Sequence, residues 1–347
     1  MQHSLAEKKF KSRDEIKIWV SNFFESQPAE FFEKGIHFLH GRWRQMGLSF
    51  SSSPPKSIGK PSTLLPLVGN GMYEVGCVDV MLKDENGDES GFFARIFYPS
   101  TLKKEHIEYP IWRPRNEYIV GLAEYRQVSP MKINFFLDWI IGERRVPAVW
   151  HAPLFHRQTS HRKFDSDLHE VDASEDPDDK GLTADATNPI FPVVVFSHGI
   201  SGNRLCYSTL CASLASHGFV VAALEHRDRS SSWTYYLERN ETGELSEKPV
   251  RMTTFPDGEE EFKERNGQVY HRVTECLRCL KFFDEINSGQ HTNAEANAES
   301  LIVYGHEFNW TQFKNRLDLS KAVIVGHSFG GATAIAAVAD PTSGFHV

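Results

Sequence analysis

The stretch Ala322-Val-Ile-Val-Gly326-His-Ser328-Phe-Gly330-Gly-Ala-Thr333-Ala-Ile-Ala-Ala-Val-Ala339 joins an apolar run, a turn of small residues around a serine, and a second apolar run of small side chains. Residues 322–325 read as a strand buried on both faces, and residues 333–339 as a helix packed close on a sheet. Between them stands G-x-S-x-G. A serine on a sharp strand-to-helix turn is held in a strained conformation with its Oγ exposed, as a nucleophile requires. Glycines at 326 and 330 let neighbouring backbone approach closely. The N–H of Phe329 then faces the place where a negative oxygen would develop, and the helix N-terminus adds favourable potential. Ser328 is thus the candidate nucleophile and the Phe329 amide one candidate oxyanion donor; a purely structural turn is the alternative.

Working outward, residues 193–196 and 219–224 are short continuous apolar runs of the kind buried within parallel sheets. Residues 205–217 between them have helical composition and end at Gly218. From Gln268 the apolar positions Val269, Val273, Leu277 and Leu280 predict another helix, with Asn266 as its cap. Residues 92–98 predict a strand closed by Pro99. This alternation argues for an α/β fold with a mostly parallel sheet. After the strand at 193–196 comes Ser197-His-Gly199-Ile200-Ser-Gly-Asn203, with two glycines where backbone must face a ligand. It resembles the HG-type oxyanion turn of esterases, which makes the Ile200 amide the second candidate donor; an ordinary β–α turn is the alternative. Glu225-His-Arg-Asp-Arg229 follows the other apolar run and reads as a charged structural network at the sheet edge rather than a catalytic group.

At 347 residues and a prior of roughly 150 residues per domain, about two domains are expected. Hydrophobic residues at 40% and charged residues at 24% exclude a disordered, collagen-like or polytopic membrane chain. The 38 Lys and Arg against 46 Asp and Glu leave a net charge of −8, which gives no reason to expect nucleic acid as a partner. Eight acids and no Lys or Arg lie between Asp165 and Asp179, so residues 156–188 are read as a solvated, disordered acidic insertion. Five cysteines in so long a chain point to a reducing compartment. Cys276-Leu-Arg-Cys279 lacks a second pair and sits in a helical pattern, so it is read as two partly buried thiols. No metal and no cofactor are expected. No signal peptide or membrane-length apolar run is visible, so the cytosol is the expected address.

Residues 1–60 form an extension of their own, and residues 61–347 the main domain. Ser12-Arg-Asp-Glu15 is a capping-box pattern, and Ile16, Trp19, Val20, Phe23 and Phe24 share one helical face. Ten Lys and Arg against six acids in this region suit an amphipathic helix lying on a membrane surface, while packing on the main domain or a partner is the other reading. A Ser/Pro-rich linker follows. Met46-Gly47-Leu-Ser-Phe-Ser51 fits an N-myristoylation pattern only if translation begins at Met46.

Four stretches together are similar to the platelet-activating factor acetylhydrolase family, and within it to the intracellular type II enzyme and its plasma relative. They are Val194-Val-Phe-Ser-His-Gly199, Leu214-Ala-Ser-His-Gly-Phe-Val-Val-Ala-Ala223, Glu225-His-Arg-Asp-Arg-Ser230 and Gly326-His-Ser-Phe-Gly-Gly-Ala-Thr333. The resemblance runs from about residue 65 to 339, apart from the acidic insertion. It implies an α/β-hydrolase fold and a calcium-independent serine esterase. The substrate implied is a platelet-activating-factor-like phospholipid, cut at a short or oxidised sn-2 acyl ester. It also implies Ser328 as nucleophile and the Ile200 and Phe329 amides as oxyanion hole. Some intracellular members are N-myristoylated.

The chain departs from the family pattern at one place. The family's acid and histidine both follow the serine, yet only nineteen residues follow Ser328. Asp340 and His346 are the sole acid and histidine there, and neither is assigned. The last strands of the sheet are expected to be missing as well. Removing the base of a serine triad costs on the order of 10⁶ in kcat. A catalytically inactive form that binds lipid or a partner therefore stands beside the esterase as the alternative.

Overall fold

A computed structural model describes residues 63–345, apart from 70, 85–86, 103–106, 141, 158–187, 240–243, 256–257, 291–301 and 306. The N-terminal extension, the Ser/Pro linker, nearly all of the acidic insertion, and His346 lie outside the described residues.

The principal sheet begins with a long antiparallel pair, β1 (Glu74–Asp84) and β2 (Gly87–Ser100), in which Val80 faces Ala94. Alternate residues of both strands are apolar on each face, so both faces can be covered. Next come β4 (Phe191–Ser197), α3 (Ser208–Ser216) and β5 (Val220–Leu224), a β–α–β unit whose strands pair in parallel, Val194 facing Val221. β5 joins β2, and β9 (Leu317–Gly326) joins the other side of β4 in parallel, Ser197 facing Gly326. With short β3 (Val149–Trp150) on β1, the order is β3-β1-β2-β5-β4-β9; β8 (Ile302–Tyr304) also pairs with β1.

One face of the sheet packs Val80, Ala94, Ile96, Val195 and Ala222 against Val273, Cys276, Cys279, Phe282 and Phe283 of α4 (Glu259–Ser288) and Ala337 of α5 (Phe329–Ala339). The other packs Cys77, Phe97, Val194, Phe196 and Ala223 against Cys211, Ala212 and Ala215 of α3. Next to it, Met81 and Phe93 meet Tyr118 of α1 (Glu117–Arg126) and Trp233 and Tyr235 of β6 (Trp233–Arg239). β6 pairs only with β7 (Leu245–Arg251) among the described residues. α2 (Pro130–Ile140) follows α1. Period-two alternation on continuous apolar strands thus gives a three-layer α/β/α sandwich.

Four expectations need correction. The sheet is mixed: β1–β2, β2–β5 and β1–β8 are antiparallel, while β5–β4, β4–β9 and the short β1–β3 are parallel. β9 is not buried on both faces: Val325 is 37% exposed, because β4 is its single strand neighbour among the described residues. Asn266 caps nothing, since α4 begins at Glu259; residues 259–265 are charged apart from the exposed Phe262, and one apolar residue makes no period, so periodicity registers only the buried part. β2 passes through Pro99 to Ser100, a strand end where proline is tolerated. The β6–β7 hairpin and the helices α1 and α2 were not legible from periodicity.

Candidate active site

The carboxyl ends of β4 and β9 lie side by side, with β5 on the far side of β4. The connection from β4 runs one way to β5 and the sheet continues the other way to β9. Such a reversal leaves a crevice at the strand ends where ligands of open α/β sheets bind. Both sequence turns open into it. Ser328 has φ 57° and ψ −119°, a conformation costly for a side-chain-bearing residue. It is exposed, and its side chain makes no cap to the helix it precedes. The glycines explain how the corner closes: a Cβ on Gly326 would lie 1.9 Å from the Gly330 carbonyl oxygen, and one on Gly330 would lie 2.1 Å from that of Ser197.

The β4 turn meets this corner directly. A Cβ on Gly199 would stand 3.2 Å from Cβ of Ser328. The His327 N–H donates to the Ser197 carbonyl at 3.2 Å, and the Tyr207 hydroxyl is 2.7 Å from His327 Nδ1. His198 Nδ1 and the Gly202 N–H both donate to the Gly199 carbonyl, at 2.7 and 3.0 Å. In a trans peptide the C=O and the following N–H point opposite ways, so holding the Gly199 oxygen inward turns the Ile200 N–H outward. Phe329 is the first residue of α5, where an amide has no intrahelical acceptor. The two candidate donors and the candidate nucleophile are therefore brought to one place.

No described histidine or carboxylate reaches Ser328. A Ser–His–carboxylate array does exist, at another serine: Ser197 Oγ lies 2.7 Å from His226 Nε2, and His226 Nδ1 lies 2.7 Å from a Glu275 oxygen. All three are buried, so the array faces no substrate. Burial, and then the Arg272 charge, hold His226 below its usual pKa, while its bond to Glu275 works against them. Burial would raise Glu275, but His271 and His226 override it and keep the carboxylate ionised. The ring is thus neutral, with Nδ1–H donating to Glu275 and Nε2 accepting from Ser197. The array braces the end of β4, whose last carbonyl receives the His327 amide. Glu275 sits on α4, far from Ser197 in sequence, and no local pattern could have revealed this.

Glu225 through Asp228 form a buried charged network: Glu225 with Arg204, Arg227 with Glu275, and Asp228 with Arg272. Asp340 ends α5 and spends its carboxylate on Thr342, accepting from that residue's N–H and hydroxyl at 2.8 and 2.6 Å. Cys276 and Cys279 are fully rather than partly buried, packed against the sheet. No group of residues fit to hold a metal ion occurs among the described residues.

The family model described as platelet-activating factor acetylhydrolase, isoform II, matches residues 58–162 and 175–346. The chain belongs to this family. It is 33% identical over 273 residues to the platelet-activating factor acetylhydrolase of Canis lupus familiaris, covering 78% of this chain and 51% of that protein. The Bos taurus enzyme of the same name is 34% identical over 268 residues, covering 77% and 50%. A putative phospholipase A2 of Schizosaccharomyces pombe is 29% identical over 156 residues, covering 42% and 34%. The chain spans about half the length of the platelet-activating factor acetylhydrolases it matches. A ferulic acid esterase from Streptomyces cinnamoneus superposes with a TM-score of 0.37 at 16% identity, covering 82% of this chain and 57% of that one. The fold is an α/β-hydrolase, with the serine elbow at a strand end of a mixed sheet that has helices on both faces. No helix among the described residues is long and apolar enough to cross a membrane.

Proposed function

We propose that the protein is a calcium-independent serine esterase that removes a short or oxidised sn-2 acyl group from platelet-activating-factor-like phospholipids. The observation that carries this reading is the strained, exposed Ser328 seated against Gly199 of the β4 turn, with two backbone amides free to face one oxygen. In the proposed reaction Ser328 Oγ attacks the sn-2 carbonyl carbon, and the Ile200 and Phe329 N–H groups hold the oxyanion that forms. The lysophospholipid hydroxyl leaves, and water then frees the acyl group from the serine. The proton of Ser328 needs a base, and the reading places that base outside the described residues. Each oxyanion donor is worth about 10²–10³ in rate.

A second reading, an inactive form that binds lipid or a partner, is favoured by the same lack of a described base beside Ser328. The two separate in one assay on the protein isolated from its own cells, using 2-acetyl phospholipid with EGTA present. Hydrolysis that is lost in Ser328→Ala, together with fluorophosphonate labelling at Ser328, is the expected result. No hydrolysis and no labelling would overturn the esterase reading. A simple aryl acetate cleaved in preference to the phospholipid would retain the esterase and discard the lipid substrate. The division near residue 60, the acidic insertion, a cytoplasmic location and peripheral membrane contact through the N-terminal segment remain parts of the proposal.

A further inference from the structure

Arg272 lies on α4, fully buried, and its guanidinium reaches three separate parts of the site. Nη1 donates to the His198 carbonyl at 2.7 Å, in the turn that presents the Ile200 amide. Nε donates to Asp228 at 2.7 Å, and Nη2 donates to the Ser230 hydroxyl. The Ser230 carbonyl in turn accepts the Ser201 N–H at 2.8 Å, so the His198–Gly199 and Ile200–Ser201 peptide units, which flank the unit bearing the Ile200 N–H, are linked to this one side chain, the first directly and the second through Ser230. On its flat face the guanidinium carbon sits 4.5 Å from the ring centre of Phe329, the residue that bears the other candidate donor.

We propose that Arg272 is the positioning residue of the oxyanion hole, a buried clamp that sets the Ile200 and Phe329 amides at a fixed separation. The inference rests on the esterase reading above. The two amides belong to different loops, more than a hundred residues apart in sequence; the backbone bond that joins the loops, His327 N–H to the Ser197 carbonyl, precedes both amides, and Arg272 adds a side-chain link at the residues that carry them. A planar fork with several donors and a stacking face can join them, and a lysine ammonium cannot. Asp228 keeps the guanidinium in register, and its carboxylate also accepts the Ser230 N–H and hydroxyl at 3.1 and 2.5 Å. Arg272 touches no reacting atom. It acts through the two loops.

The test compares wild type, Arg272→Lys and the double variant Asp228→Asn/Arg272→Met, which removes the buried charge pair together so that neither partner is left alone. In both, kcat for 2-acetyl phospholipid is expected to fall by about 10- to 100-fold per serine titrated with fluorophosphonate, less than outright loss of a donor. KM should stay within about twofold, because the oxyanion forms after binding. Affinity for a trifluoromethyl ketone, whose adduct places an oxyanion in the hole, should fall by the same factor as kcat. Guanidinium ion added to Arg272→Gly should restore part of the rate. Independently of any activity, amide exchange in segments 199–203 and 328–331 should quicken by about tenfold while the core strands stay protected. A merely structural arginine would lower the melting temperature and the titratable fraction. It would leave kcat per titrated serine and exchange in those two segments within about twofold of wild type, and that result overturns the proposal. Wild-type protein that hydrolyses nothing would overturn the esterase reading instead, and the exchange measurement would still decide the clamp.

Discussion

Asp79 on β1 illustrates what a single buried charge does here. Its carboxylate accepts from Arg95 at 2.6 and 2.9 Å and from Arg204 at 2.9 Å, and Arg204 continues to Glu225 and the Tyr118 hydroxyl. Burial alone would raise the Asp79 carboxyl, but Arg204 and Arg95 override it and hold it well below the usual range. The network ties β1, β2, the turn after β4 and the end of β5. Asp79→Ala leaves two guanidiniums buried without that partner, an arrangement that costs about 3–5 kcal/mol. Urea unfolding of the variant is expected to show that loss; a change below about 1 kcal/mol, the worth of a surface pair, would contradict the buried network. The same residue-level logic governs the elbow, where glycine at 326 and 330 is a steric requirement set by carbonyl oxygens of the facing turn and helix.

At the scale of the element, α4 is the longest helix described and does two jobs along one stripe. Val273, Cys276, Cys279, Phe283 and Ile286 are buried against the sheet, while Gln268, Arg272 and Glu275 reach the turns that follow β4 and β5. Burial pushes both thiols, Cys276 and Cys279, above the usual range, so the reactive thiolate is scarce. Iodoacetamide is expected to leave both unmodified in native protein and to modify both in urea, read by peptide mass. Rapid native modification would mean that α4 opens away from the sheet. If the stripe of Ile16, Trp19, Val20, Phe23 and Phe24 lies on lipid, Trp19→Asp should cut vesicle flotation by roughly tenfold on anionic liposomes. Unchanged flotation would favour packing on the protein.

At the scale of the whole molecule, pH reports on how much of the site's support is buried. Burial, and then the Arg272 charge, depress the pKa of His198 and His226 below the ordinary 6.5. The unfolded chain takes up these protons at a higher pH than the folded one. Their contribution to stability is therefore complete above about 6.5 and is withdrawn as pH falls toward the depressed values. His271 works the other way. Burial lowers it, but Glu275 prevails and raises it, so its contribution is present below 6.5 and lost as pH rises through the raised value. With two fully buried rings against one, the melting temperature is expected to fall between about pH 7 and pH 5. A level or rising melting temperature over that range would mean that the two rings are not held neutral.

Local sequence patterns were enough to specify the separate pieces. Continuous apolar runs at 193–196 and 219–224 became β4 and β5, because side chains alternate across a strand and both faces needed covering. The glycines and serine at 326–330 specified a sharp corner, because only small residues admit the carbonyl oxygens that close it. Charged Glu225–Arg229 and the thiols at 276 and 279 could be read as structural, though not whom they would meet. Tertiary structure decided everything that depends on which strands are neighbours. Placing β9 beside β4 brought Gly199 against Ser328, and placing α4 beneath both turns brought Arg272 to His198 and Phe329, and Glu275 to His226. That β9 has β4 as its one strand neighbour among the described residues, and that β2 runs antiparallel to both β1 and β5, were decided there too. Periodicity records how a segment is buried, within a few residues of itself. Contacts between loops a hundred residues apart follow only from the topology that folds them together.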